Sequence, residues 1–278
     1  MRHQRLRPGA KTPHLIVLSV LSVFAFLWVH RRGISPSSPT AKDECLVSHG
    51  KYKGSVYESH NNRGGSGETI SNKCLVESPW MRLAQHSVKL SSGDHTIIDD
   101  WLWIDYHDRI NVLVEDPQTP GSFLILQQTK YALDSQISLA VVGGIIEPQK
   151  SRSEREKSSQ SKTESPLLAA QREVNEELHV TCQSWKALGK FRTDVNRGMG
   201  WVHPYLARDC AYSAGGNDEN LIQDETAVGA HDTEQQSIRS MAKSDVRTAV
   251  MDGKFLEVQW SNTVALAMLY LAEDYNNN

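Results

Sequence analysis

The feature that most constrains this chain is a group of acidic residues on one short helix. A helix is predicted over Pro166–Leu178, because apolar residues recur there at helical spacing and Ser165 is a favourable N-cap. Glu173, Glu176 and Glu177 then fall on one face about 100° wide, beside the apolar stripe. Three carboxylates this close repel one another unless a cation lies among them. Oxygen ligands suit Mg²⁺ or Mn²⁺, so the spacing favours a metal site, with a solvated acidic face as the alternative.

The residues around this helix resemble the sequence box of the Nudix hydrolase family. The family pattern is G-x5-E-x7-R-E-U-x-E-E-x-G-U, in which U is a bulky apolar residue. The second part is matched in register by Glu164, Arg172, Glu173, Val174, Glu176, Glu177 and Val180. The run that starts at Gly143-Gly144 resembles the opening of the box in the ADP-ribose and ADP-sugar pyrophosphatase branch.

The chain departs from the family pattern at two places. Nineteen residues separate Gly144 from Glu164 where the family has five, so the box contains an insertion of fourteen residues. The inserted stretch, 149–163, has no apolar residue, and we predict a flexible surface loop, with a regulatory or partner-binding role as the alternative. His179 stands where the family has Gly at the helix end, a position that favours a left-handed residue.

The resemblance implies a role for each matching residue. Glu173 and Glu177 would bind the metal with the carbonyl of Gly143, and Glu176 would act in catalysis by binding the metal or its water. Gly144, Glu164 and Arg172 would be structural. Glu234 is the first candidate for the general base, and Glu219, Asp224 and Glu225 on the same predicted loop are alternatives.

Two basic residues are candidates for binding substrate phosphates. Lys130 lies in a segment that resembles one where the family branch often has an arginine, and a plain surface lysine is the alternative. Arg197 lies in a predicted turn, from which its side chain could reach a phosphate.

The order of predicted elements indicates an α/β fold. Short apolar segments bounded by turn residues predict seven strands: 101–106, 110–115, 122–127, 139–142, 180–184, 200–207 and 236–241. Helices are predicted over 166–178, 244–251 and 263–272. This mixture predicts a sandwich around a mixed sheet. The resemblance implies an α/β/α sandwich over residues 87–278, and homodimers, which are frequent in the branch.

The N-terminal residues predict a membrane segment and a linker. Leu15–Val29 is an apolar run of about 22 Å, shorter than the ~30 Å hydrocarbon core, and basic residues flank it. We predict an uncleaved signal anchor over 1–32, with a cleaved signal peptide as the alternative. The excess of positive charge before the run favours a single-pass protein with its domain in the secretory lumen; a cytosolic orientation and secretion remain open. Residues 33–86, rich in Ser, Pro, Gly and Asn at their start, are predicted to be a largely irregular linker.

Charge excludes nucleic acid as a partner. Residues 1–40 hold six basic and no acidic residues, so the rest of the chain has 24 basic and 33 acidic residues, too acidic a balance for electrostatic nucleic-acid binding. The resemblance implies a pyrophosphohydrolase that cleaves a nucleoside diphosphate linked to another group, with ADP-ribose or a nucleotide-sugar favoured. A dinucleotide polyphosphate or nucleoside triphosphate hydrolase is the alternative within enzymes. A catalytically weak nucleotide-binding or scaffold protein is the alternative outside them.

Overall fold

The structure, a computed structural model, describes residues 44–57, 67–91, 96–148, 163–213 and 236–276. The strands within these residues form one mixed sheet. The twelve strands within these residues are β1 (Val47–Ser48), β2 (Gly67–Glu77), β3 (Met81–Leu90), β4 (Ile97–Tyr106), β5 (Arg109–Glu115), β6 (Ser122–Thr129), β7 (Ile137–Ala140), β8 (Val142–Ile145), β9 (Val180–Ala187), β10 (Phe191–Asp194), β11 (Gly198–Tyr212) and β12 (Gln236–Ala242). The helices are α1 (Pro166–Leu178), α2 (Lys243–Met251) and α3 (Val258–Asn276).

The long strand β11 lies at the centre of the sheet. The main path runs β1-β2-β3-β4-β11-β5-β6-β12, and β11 is parallel to both β4 and β5. The strands β9 and β10 pair with β11 in antiparallel fashion, β7 pairs with β6, and β8 pairs with β5. The β5–β8 pairing places Gly143 opposite Asn111 and Gly144 opposite Ile110, which fixes the glycine pair in the middle of the fold.

The core lies around β5, whose five inner residues are all buried. Because successive side chains of a strand point to opposite faces, this burial requires a layer on each face of β5. Both α1 and α3 pack against β5, and their buried residues include Val174 and Val264. The predicted mixed sheet with helices is confirmed.

In the second half of the chain each predicted helix and strand has a counterpart in the structure, and β10 was not predicted. Residues 166–178 form α1 as predicted, and Ser165 caps it by accepting a hydrogen bond from the Leu168 amide at 3.2 Å. The predicted strand 139–142 is divided into β7 and β8 at Val141. The last helix starts at Val258, five residues before the predicted start, because Gln259 and Trp260 are buried within its first turn.

The stretch predicted as a linker, 33–86, contains regular structure in its described part. There β2 pairs with β3, and β3 pairs with β4, in a three-stranded antiparallel arrangement. The buried positions of β3 are Arg82, Ala84 and His86, so two of three inward side chains are polar. A strand with this composition lacks the apolar alternation by which strands are recognised in a sequence.

Two disulfides join all four cysteines of the chain. Cys45–Cys74 links the segment before β2 to that strand, and Cys182–Cys210 links β9 to β11.

Several predicted features lie outside the described residues. They are the apolar run 15–29, most of the insertion 149–163, and the loop that holds Glu234 and its three acidic alternatives. Within the described ranges, no helix has the length and apolar character needed to cross a bilayer.

Candidate active site

The insertion leaves the pair Glu164–Arg172 in place. The Glu147 amide donates to Glu164 Oε1 at 2.9 Å, the Glu164 amide donates to the Glu147 carbonyl at 3.0 Å, and Pro148 forms an antiparallel bridge with Thr163. These contacts bring the two ends of the insertion together. Glu164 therefore reaches Arg172, at 2.6 Å between Oε1 and Nη2, in spite of the fourteen extra residues.

Arg172 is the cation that lies among the acidic side chains. Its guanidinium also donates to Glu173 at 2.8 Å, to Glu176 at 3.0 Å and to the Ile145 carbonyl at 3.0 Å. Burial lowers the pKa of Arg172, but the hydrogen bond and charge of Glu164 and Glu173 outweigh this and raise it. Arg172 is therefore permanently charged, and it links α1 to the end of β8.

Glu173 lies against Gly144, in a space that only a glycine leaves open. A Cβ atom built on Gly144 would overlap the carboxyl group of Glu173. Burial raises the pKa of Glu173, the neighbouring Arg172 lowers it, and the charges of Glu176 and Glu164 raise it further, with a net rise. A carboxylate that is desolvated in this way gains from a second cation nearby.

A cavity of about 340 Å³ opens beside this glycine pair. Its polar lining includes Arg109, Asn111, Gln128, Lys130, Gly143, Gly144, Glu177, Gln236, Glu257 and Gln259, and its apolar lining includes Leu126, Val141 and Trp260. Acidic groups from α1 and from the residue before α3 thus line the same cavity as basic groups from β5 and from the residue after β6. A cavity with both charges can hold a metal ion and a phosphate chain together.

The donors fit a hard divalent ion by their chemistry. Glu177 and Gly143 line the cavity together, and the open space at Gly144 admits Glu173 beside them. Glu173 and Glu176 are at present bonded to Arg172, and no group of three potential ligand side chains in the described part of the chain already surrounds a common point. An ion bound here would compete with Arg172 for the Glu173 carboxylate.

The remaining predicted site residues lie at different places. Lys130 lines the cavity directly after β6. Arg197 is exposed in the turn between β10 and β11, where its side chain contacts the Asn196 carbonyl at 3.4 Å, and it does not line this cavity. Glu176 is 56% exposed and lies outside the cavity lining.

Two charged residues of the cavity, Arg109 and Glu257, were not predicted from the sequence. They form an ion pair of 3.6 Å between Nη1 of Arg109 and Oε1 of Glu257, although 147 residues lie between them along the chain. Neither belongs to a local motif. Their proximity depends on the packing of α3 against β5, which spacing within one segment does not reveal.

The fold and the site define a hydrolase of the pyrophosphatase class, and the comparisons with known proteins agree. The family model of the NUDIX domain matches residues 105–258, more than half of the chain, and the chain belongs to this family. A solved structure described as the crystal structure of ADP compounds hydrolase is similar, with a TM-score of 0.55 and 10% identity. That match covers 77% of this chain and 98% of the other chain. No curated protein sequence matches this chain. The predicted homodimer stays a prediction.

Proposed function

We propose that the chain is a divalent-metal-dependent pyrophosphohydrolase acting on a nucleoside diphosphate linked to another group, with ADP-ribose or a nucleotide-sugar favoured. The observation that carries this proposal is that Glu177, Gly143, Lys130 and Arg109 line the same cavity. The similar structure described as an ADP compounds hydrolase supports the choice of nucleotide.

Each side of the cavity has a proposed task. Lys130 and Arg109 bind the phosphate oxygens, and Lys130, at the end of β6, is positioned by the strand. Glu173 and Glu177, with the Gly143 carbonyl, would hold Mg²⁺ or Mn²⁺. When bound, such an ion neutralises phosphate charge and lowers the pKa of a coordinated water. Arg172 keeps α1 joined to β8 through the Ile145 carbonyl, and so keeps the acidic residues beside the glycine pair.

The proposed metal requirement also gives Glu176 a task that its position permits. Its exposed carboxylate lies 3.0 Å from Arg172 Nη1, beside Glu173. From there it would hold Arg172 when Glu173 is a ligand of the ion. Glu176 as a direct ligand of the metal or its water is the stronger form of the prediction, and loss of metal affinity in Glu176→Gln would distinguish the two.

The substrate class is tested by the products. Protein beginning near residue 44 is given Mg²⁺ and ADP-ribose, nucleotide-sugars, dinucleotide polyphosphates or nucleoside triphosphates, and the products are separated by chromatography. The proposal expects a nucleoside monophosphate and a phosphorylated remainder from the first two groups. Preference for the last two groups would replace the proposed substrate, and binding without turnover would indicate a nucleotide-binding protein.

We also propose that the N-terminal segment places the domain in the lumen of the secretory pathway. Both disulfides support this, because paired cysteines persist in oxidising compartments and are rare in the cytosol. Protease protection of a tagged full chain in membrane vesicles tests it. Protection of the domain, together with disulfide-linked peptides in the mass spectrum, is expected; full digestion of the domain in intact vesicles would contradict it.

A further inference from the structure

We propose that Glu257 is a further catalytic residue, which accepts the proton of the attacking water. This inference rests on the proposed function. The water oxygen bonds to one phosphorus, and the bond from that phosphorus to the bridging oxygen breaks. The water proton passes to Glu257, and the electron pair of the broken bond leaves on the departing phosphate.

Glu257 is the carboxylate of the described cavity lining that has no other proposed task. Among the described residues that line it, Glu177 and Glu257 are the two carboxylates. Glu177 belongs to the matched box and is assigned to the metal. Glu257 directly precedes α3, so a different part of the chain brings it to the cavity.

The position of Glu257 is fixed by its surroundings. Its carbonyl accepts a hydrogen bond from the Ser261 amide at 3.1 Å, so the residue is held at the N-terminal end of α3. Its side chain is 30% exposed, which leaves the carboxylate open to a water in the cavity. Gln259 and Trp260, the next lining residues on α3, are buried and anchor this end of the helix.

The charged groups near Glu257 are of both signs, which suits a proton acceptor. Arg109 on β5 lies 3.6 Å away, and it is itself held by Gln259 at 3.3 Å and stacked on the Tyr106 ring at 4.8 Å. Lys130 contributes a second positive charge from the end of β6, while Glu177 on α1 lines the same cavity. Burial raises the pKa of Glu257, and Arg109 and Lys130 partly oppose the rise, with a net rise. A carboxylate with a raised pKa is a stronger base than an ordinary glutamate.

The two acids assigned to catalysis by the sequence analysis are the natural competitors. Glu176 is bonded to Arg172 and does not line the cavity. Glu234 lies outside the described residues, so substitution of Glu234 is the direct comparison for substitution of Glu257.

The experiment compares pH–rate profiles of four proteins on the substrate that the wild type turns over. They are the wild type, Glu257→Gln, Glu234→Gln and a control, Glu273→Gln, which changes an exposed glutamate on α3. We expect Glu257→Gln to lower kcat by about 10²–10⁴-fold and to lose the acidic limb of the profile. Its Mn²⁺ affinity, measured by titration without substrate, should stay within about twofold of the wild type, because a proton acceptor does not ligate the metal. The control should follow the wild type throughout.

A second variant keeps the test decisive if the amide disturbs folding. Glu257→Asp retains a carboxylate on a shorter side chain, and we expect it to keep the acidic limb with a reduced kcat. Thermal melting of both variants identifies a folding defect. If Glu257→Gln does not fold, an aspartate variant that folds but lacks the acidic limb overturns the proposal.

The remaining outcomes separate the two proposals. A wild type that turns over none of the substrates overturns the proposed function and this inference with it. An active wild type whose Glu257→Gln variant keeps its kcat and its acidic limb overturns only the role of Glu257. A raised KM with an unchanged kcat would assign Glu257 to the positioning of Arg109 and Lys130, and loss of the limb in Glu234→Gln alone would return the role to Glu234.

Discussion

At the scale of single residues, Arg172 decides how the acidic cluster is arranged. Its guanidinium contacts three glutamates and one backbone carbonyl, so repulsion among the carboxylates is offset before any metal binds. Glu164 differs from the others because it is bonded at both ends, to Arg172 and to the Glu147 amide. This double contact gives Glu164 a structural task that can be measured through pH.

The first prediction concerns Glu164→Gln. Burial raises the pKa of Glu164, but hydrogen bonds from Arg172 and the Glu147 amide outweigh it, with a net fall. A lowered pKa in the folded state adds stability above the pKa of the unfolded chain, and this stability is lost as the pH falls through the folded value. Glu164→Gln should therefore unfold more easily than the wild type near pH 7, with a difference that shrinks below about pH 4. Urea unfolding from pH 3 to pH 7 measures this, and a difference that is the same at every pH would contradict it.

The second prediction compares the neighbouring glycines. A methyl group at Gly144 overlaps the Glu173 carboxyl, whereas one at Gly143 would lie 2.9 Å from Nδ2 of Asn111. Because displacement of a reacting group by about 1 Å can cost about 100-fold in rate, we expect Gly144→Ala to lower kcat by about that factor. Gly143→Ala should cost less, since its contact is longer and involves Asn111, which is not assigned to the metal. Steady-state kinetics and melting curves of both variants test the order, and equal losses of kcat would contradict it.

At the scale of elements, the two ends of the insertion explain why the box tolerates fourteen extra residues. Pro148 and Thr163 are already bridged, so the loop closes over a short distance. The entropic cost of a longer loop grows slowly with its length. The bridge therefore keeps α1 and β8 in the same relative position when residues are added between them.

The third prediction follows from that closure. Replacement of residues 149–162 by Asn-Gly should leave the Glu164–Arg172 pair intact, raise the unfolding free energy by about 1–2 kcal/mol, and keep kcat within a few-fold. Chemical denaturation and kinetics measure these quantities. A large loss of kcat in a variant that stays folded would show instead that the loop contributes to the site.

The fourth prediction concerns the end of α1. His179 has a φ of 52°, and its amide donates to the Asn175 carbonyl at 3.0 Å, which is a left-handed helix cap. Because Gly adopts this conformation without steric cost, His179→Gly should stabilise the fold by about 1 kcal/mol. Gln171→Gly, at an exposed position inside the same helix, should destabilise it by a similar amount. Denaturation curves compare the two, and a loss of stability in both would contradict the cap.

Local sequence patterns predicted the elements that have strong local signatures. The limits of α1 followed from Ser165 and its apolar spacing, and the left-handed position at His179 followed from the family pattern. The strand β3 was not predicted because Arg82 and His86 occupy inward positions, where Arg82 lies 3.9 Å from Asp105 and His86 stacks with Trp103 at 6.0 Å. Polar pairs formed across strands carry no periodic pattern within either strand.

At the scale of the whole molecule, the site joins elements that are distant along the chain. The acidic residues of α1 were predicted because they lie within one helix. The pair Arg109–Glu257 was not predicted, because it exists only when α3 is packed on β5. Lys130 lies between these cases, since its segment suggested a phosphate contact but only the fold brings it to the cavity.

The central claim is that this cavity performs metal-dependent hydrolysis through Glu177, and one measurement tests it most directly. Release of nucleoside monophosphate from ADP-ribose is followed against Mg²⁺ concentration for the wild type, Glu177→Gln and Glu273→Gln. We predict turnover that requires Mg²⁺ in the wild type and in Glu273→Gln, and a kcat lowered by orders of magnitude in Glu177→Gln with an unchanged melting temperature. Turnover without added metal after chelation, or near-normal turnover in Glu177→Gln, would contradict the account.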